Sequence, residues 1–256
     1  MGFSKEWINT LNEIAEFQKD KPHTWFRGQS NTAYHLNSGL YRSKLEKATS
    51  YLATENTYYK IFKRMGHVHH NEENWNLLYI MQHHGVRTRL LDWTESFAVA
   101  LFFAYENWDY DNTDSVIWLL DPFCLNQLTL GEQKFYIPDE PYENYIEKKV
   151  EFYPNTLALY PVRNSSRIIS QQGMFTLQGT VNQPIDEEFE GKLIDKGILK
   201  KITFSHKVKD DIIMYLKQNG MSDFSLFPNL DGLAKHINKL GYFKERTSIE
   251  SGTIVE

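Results

Sequence analysis

Apolar residues at helical spacing behind Ser4 (Trp7, Ile8, Leu11, Ile14, Ala15) predict an amphipathic helix over residues 5–19, capped by Ser4 and ended by Lys21-Pro22. The pattern then changes to alternation over 23–29, the signature of a short strand through Trp25-Phe26-Arg27-Gly28, with a turn at 28–31. Helical spacing returns over 51–69 and 72–84. After a glycine stop at Gly85 it gives way to a strand over 88–93 and an apolar helix from Glu95 to about Tyr105. Residues 115–120 read as a buried strand, and 126–156, with three prolines, as loop-rich. Further strands are predicted over 157–162, 173–178 and 198–204. Two final helices are predicted over 207–218 and 230–240, stopped by Gly220 and Gly241, with a frayed tail after Arg246.

Helices first, then strands interleaved with helices, predict an α+β fold of small mixed or antiparallel sheets flanked by helices. The expected organisation is a single domain over 1–245, its helical N-terminal part (about 1–85) packed on the α+β core, and a tail over 246–256. Composition narrows the class. A chain of 256 residues with 41% hydrophobic and 14% aromatic content is globular, and the aromatic share suits a cleft. A net charge of −5 argues against a non-specific nucleic-acid coat. The lone Cys124 excludes a disulfide framework within the chain and a cysteine-rich zinc site, and suits a reducing interior. With no secretory-type N-terminus and no apolar run of membrane-spanning length, the expectation is a cytoplasmic protein without a membrane partner.

Most of the site-like chemistry lies in residues 82–104, where polar groups interrupt a core-like segment. A strand handing over to a helix at 92–96 presents backbone N–H groups that suit an anion, and Thr94 and Ser96 either cap that helix or contact a ligand. Arg27, beside aromatics and before Gly28, can grip a carboxylate or diphosphate in bidentate fashion or close a structural ion pair. Asp92, within an apolar strand, reads as partly buried and in need of a partner, for which Arg27, Arg87 and Arg167 are candidates. Arg89, three residues earlier, falls on the other strand face. Gln171 can orient a ribose hydroxyl or a base amide but is no general base. His67, His69 and His70 fall on one predicted helix and His83 and His84 at the end of the next; they lack the spacing of a zinc-protease helix, and no metal site is assigned. No serine-hydrolase elbow, phosphate loop or dinucleotide fingerprint occurs, and Cys124 reads as core.

These residues carry a family resemblance. Phe26-Arg27-Gly28-Gln29, then Gln82-His83-His84-Gly85 through Thr88-Arg89-Leu90-Leu91-Asp92-Trp93-Thr94 with Ala100 and Phe103-Ala104, then Arg167-Ile168 with Gln171, Gly173 and Phe175, resemble the three signatures of the FRG-domain family. Residues 227–233 are similar to its closing segment, so the likeness spans about residues 5–240. Arg87 departs from the family, which usually has proline there.

The resemblance implies a remotely ADP-ribosyltransferase-like fold and an NAD-dependent toxin or phage-defence effector. It would pass ADP-ribose from NAD to a macromolecule, or hydrolyse NAD, with an antitoxin or phage protein as a further partner. By the same resemblance Arg27 clamps the diphosphate, Thr94 and Ser96 hold the nicotinamide ribose, and His83 or His84 contacts the acceptor or a ribose hydroxyl. Asp92 supplies negative charge, and Gly28, Gln82 and Arg89 are further cofactor contacts. Gln171 occupies the third-motif region, where such transferases usually carry a glutamate. Either Asp92, Glu95 or another carboxylate substitutes, or the acceptor chemistry differs, or the domain is a nucleotide- or protein-binding sensor without turnover.

Overall fold

The computed structural model describes residues 2–43, 45 and 48–240; the predicted stop at Gly241 and tail over 246–256 lie outside them. Six strands form one sheet: β1 (Trp25–Gln29), β2 (Leu90–Thr94), β3 (Ser115–Leu120), β4 (Leu157–Leu159), β5 (Gly173–Leu177) and β6 (Leu199–Phe204). Their order is β4-β5-β2-β1-β3-β6, and every neighbouring pair is antiparallel. The α+β expectation holds, with one sheet in place of several small ones. Among the described residues no helix is long and apolar enough to cross a membrane.

Eleven α-helices accompany the sheet among the described residues: α1 (Lys5–Gln18), α2 (Ala48–Met65), α3 (Asn74–His83), α4 (Phe97–Glu106), α5 (Pro122–Leu130), α6 (Tyr142–Ile146), α7 (Ser166–Ser170), α8 (Lys192–Asp195), α9 (Lys209–Gln218), α10 (Asp223–Leu226) and α11 (Leu230–Lys239). Ser4 caps α1 as predicted, its hydroxyl accepting from Trp7 N–H. The loop-rich reading of 126–156 is corrected at both α5 and α6. Asp121 caps α5 through the N–H groups of Phe123 and Cys124, and Pro122 opens the helix where its missing N–H costs nothing. The predicted helix over 51–69 ends at Met65, so His67 and His69 fall in the following turn and His70 just after it, all off the helix.

Strand alternation sorts the core into layers. Phe26, Ile117 and Leu119 join Val99 and Leu101 of α4, Trp7 of α1 and Ile212 of α9 in one cluster. Leu90, Phe175 and Leu177 meet Leu77, Leu78 and Met81 of α3 in a second. Leu91, Trp93, Trp25, Trp118 and Met174 form a third with Leu125 of α5. Gly28 lets β1 and α4 touch: a Cβ there would lie 1.9 Å from the Ala100 carbonyl oxygen and 2.7 Å from the Ala104 nitrogen.

At the centre of the sheet β1 and β2 are paired only at Phe26–Thr94, whereas β1 pairs β3 along all five of its residues. Beyond that one pair the two strands part. This fork, between the α3 and α4 layers, positions the site.

Candidate functional site

A cavity of about 320 Å³ opens at the fork and brings together Arg27 and Gly28 of β1, Gln82 and His83 of α3, Asp92 and Thr94 of β2, and Arg167 and Gln171 around α7. Arg27, Asp92 and Gln171, 144 residues apart at their extremes (171 − 27), therefore line one cleft. Tyr34, Arg42 and Phe103 complete its wall.

Arg27 fills the gap where ladder bonds would lie. Its Nη1 donates to the Asp92 carbonyl oxygen at 2.6 Å and stands 3.9 Å from Asp92 Oδ2. Its side chain is only 16% exposed, and its Nε has no partner among the described residues. Burial lowers its pKa to about 10, opposed by Asp92, so it stays charged at neutral pH.

Asp92 corrects the expectation of partial burial, since its side chain is 57% exposed. Alternation puts it on the Leu90 face, beside the end of α3, but beyond the cover that buries Leu90. A short relay aims the carboxylate. The buried Thr88 hydroxyl accepts from Leu90 N–H at 3.0 Å and donates to Gln82 Oε1 at 2.6 Å, which turns the Gln82 amide so that Nε2 donates to Asp92 Oδ2 at 2.8 Å. Among the cleft-lining residues Asp92 is the one carboxylate, beside three arginines (Arg27, Arg42 and Arg167). Glu95, the other acidic candidate, is drawn away to Arg163 at 3.0 Å.

His83 presents a neutral imidazole. Burial, with Arg167 and His84 nearby, lowers its pKa to about 4. Ser165 Oγ accepts from Ile168 N–H at 3.2 Å and hydrogen-bonds His83 Nδ1 at 3.3 Å. His83 itself lines the cleft. Arg167 donates to the His83 carbonyl at 2.8 Å and stacks on Phe227 at 4.6 Å.

Other predicted site residues are reassigned by their surroundings. Thr94 lines the cleft, but its hydroxyl donates to the Gln171 carbonyl at 2.7 Å and accepts from Ser96 N–H at 3.0 Å. Ser96 lies outside the cleft as the N-cap of α4. At the strand-to-helix seam Glu95 N–H is taken by Gln172 O and Val99 N–H by Ser96 Oγ. Arg89 is removed from the cofactor set: it is 2% exposed and pairs in the core with Glu55 through Nε at 2.7 and 2.9 Å and through Nη2, with its guanidinium 3.4 Å from the Phe152 ring. His84 is exposed outside the cleft, its ring 5.3 Å from that of His83. Gln171 lines the cleft with its amide donating to the Leu226 carbonyl at 3.1 Å.

The sequence reading missed Tyr34 and Arg42 and did not place Arg167 in the site. Arg167 carried a signal, since it belongs to the third signature. Tyr34 and Arg42 sit on the segment after β1, and no local pattern marks them.

Residues 22–113 match the family model of the FRG domain. No curated protein and no solved structure matches the chain.

Proposed function

Taking residues 22–113 as an FRG domain, we propose that the fork cleft binds NAD and that the protein is an ADP-ribosyltransferase-like enzyme, transferring ADP-ribose to a macromolecule or to water. One observation carries the reading: the polar residues of three separated segments meet in one cleft, whose lining combines three arginines with a single aimed carboxylate. The unpartnered, buried Nε of Arg27 fits an anionic ligand, because a buried donor without an acceptor is costly. Arg27, Arg42 and Arg167 would hold the diphosphate. His83 would hydrogen-bond a ribose hydroxyl. The reaction breaks the bond between nicotinamide and ribose, the bonding electrons leaving with nicotinamide, so positive charge grows on the sugar. Asp92, held by Gln82, stabilises that charge in place of the glutamate that Gln171 does not provide. A role as a toxin or phage-defence effector in the cytoplasm, opposed by an antitoxin or triggered by a phage protein, is the setting that the FRG resemblance suggests.

Nicotinamide release, with label from adenine-labelled NAD followed into macromolecules and into free ADP-ribose, tests the proposal and separates transferase from hydrolase. Because Asp92 is exposed, Asp92→Asn should fold normally and bind NAD with a Kd within a few-fold of wild type, while release falls about 100-fold or more. Equal release by wild type and Asp92→Asn would remove the catalytic role. One feature favours a second reading, a nucleotide-binding sensor: the Gln171 amide is already committed to Leu226 O. NAD binding by calorimetry with no nicotinamide release would select it.

A further inference from the structure

Outside the cleft, a second group of polar side chains meets where the segment after β1 touches the loop after β5. His35 Nδ1 lies 3.3 Å from Asp186 Oδ2 and 3.3 Å from Glu187 Oε1, and the three atoms all fall within 4.8 Å of one another. Backbone contacts fix the meeting. Asp186 Oδ1 accepts from Leu36 N–H at 2.9 Å, Ile185 N–H donates to Leu36 O at 3.1 Å, and Gln29 Nε2 holds the His35 carbonyl from β1 at 3.3 Å.

Two carboxylates gathered at one imidazole nitrogen bring two negative charges together, and a positive centre between the three atoms would offset their repulsion. His35 Nδ1 is within hydrogen-bond reach of Asp186 Oδ2 and stands equally far from Glu187 Oε1, so it favours neither oxygen. Metal–ligand bonds of about 2.0–2.2 Å set neighbouring ligand atoms about 3.0–3.4 Å apart for octahedral to tetrahedral angles, which is the spacing of these two edges.

We propose that His35, Asp186 and Glu187 form a site for one borderline divalent metal ion of the zinc type, with water completing its coordination. One imidazole and two carboxylates suit such an ion and balance its charge. The Asp186 oxygen turned away from the ion is held by Leu36 N–H, the kind of outer hydrogen bond that orients a ligand. The site is separate from the cleft, and the proposal stands whatever the cleft binds. Its effect would nonetheless reach the cleft. Residues 33–35 are exposed and Tyr34 lines the cavity wall, so an ion at His35 ties that wall to the 185–187 loop.

Calorimetry with zinc chloride on the chelator-stripped full chain at pH 7.5, with thermal unfolding alongside, tests this. The wild type should take up one ion per chain and unfold at a higher temperature with zinc than without it. His35→Ala and Glu187→Gln alter exposed side chains, so each should match the wild-type midpoint without zinc. Each should also bind zinc about tenfold or more weakly, since outer-shell partners alone are worth that much. No uptake by the wild type at millimolar zinc overturns the proposal. So does uptake that either variant leaves unchanged, which would assign binding to the remaining histidines.

Discussion

Gly28 shows how one residue can serve packing where its motif suggests a ligand. Its neighbours across the gap are backbone atoms of α4, which cannot rotate aside, so Gly28→Ala forces β1 and α4 apart. Overpacking of this kind costs about 1–3 kcal/mol, and a lower urea midpoint with an unchanged slope is the expected signature. His83 makes a different prediction, through protons. Its pKa is about 4 in the folded chain and near 6.5 when free, so the unfolded chain binds the proton more readily between those values. Its contribution to stability is complete above about pH 6.5 and is lost as pH falls towards 4. The difference between wild-type and His83→Asn stability curves should therefore slope only in that window. A flat difference would mean that His83 titrates alike folded and unfolded. Asp92 was legible as a candidate from its polar intrusion into an apolar strand, yet its exposure was not. Alternation fixes a face, while exposure depends on where the covering helix stops.

At the scale of elements, the buried Arg89–Glu55 pair joins β2's approach to α2, with Tyr142 of α6 donating to the same carboxylate and Phe152 against the guanidinium. Removing one partner leaves a buried charge, so Arg89→Met should cost about 3–5 kcal/mol, and the double replacement with Glu55→Leu should recover part of it. Chemical denaturation of the two single variants and the double variant measures this coupling. The central helix and strand of the 82–104 segment were legible because their apolar runs are long and bounded by Gly85 and Ser96. Arg89's role was not, because Glu55 is 34 residues away on a helix whose pattern does not mark it. Helix α5 was missed although Asp121-Pro122 is a sound start signal. Helix α7 is short, and its Ser165 cap is the sole local cue.

For the molecule as a whole, α+β character followed from the order of periodicities, but the strand order did not, since β1 at the middle of the sheet pairs with strands that arrive much later in the chain. The convergence of Arg27, Asp92 and Gln171 is a product of that order: β5 pairs with β2, and β2 meets β1, so segments far apart in sequence end at one fork. The fork also divides the hydrogen bonding of the sheet. On either side of it stand fully laddered groups of three strands, β4-β5-β2 and β1-β3-β6, each backed by its own helical core. Ladder bonds join the two groups at one residue pair, with the Arg27 side chain beside it, while the side chains of the third core (Trp25 and Trp118 with Leu91, Trp93 and Met174) span the division. Whatever enters beside Arg27 touches both groups at once, since Arg27 belongs to one and Asp92 to the other, so a ligand held there would raise the unfolding midpoint of the sheet as a whole and not of either half alone.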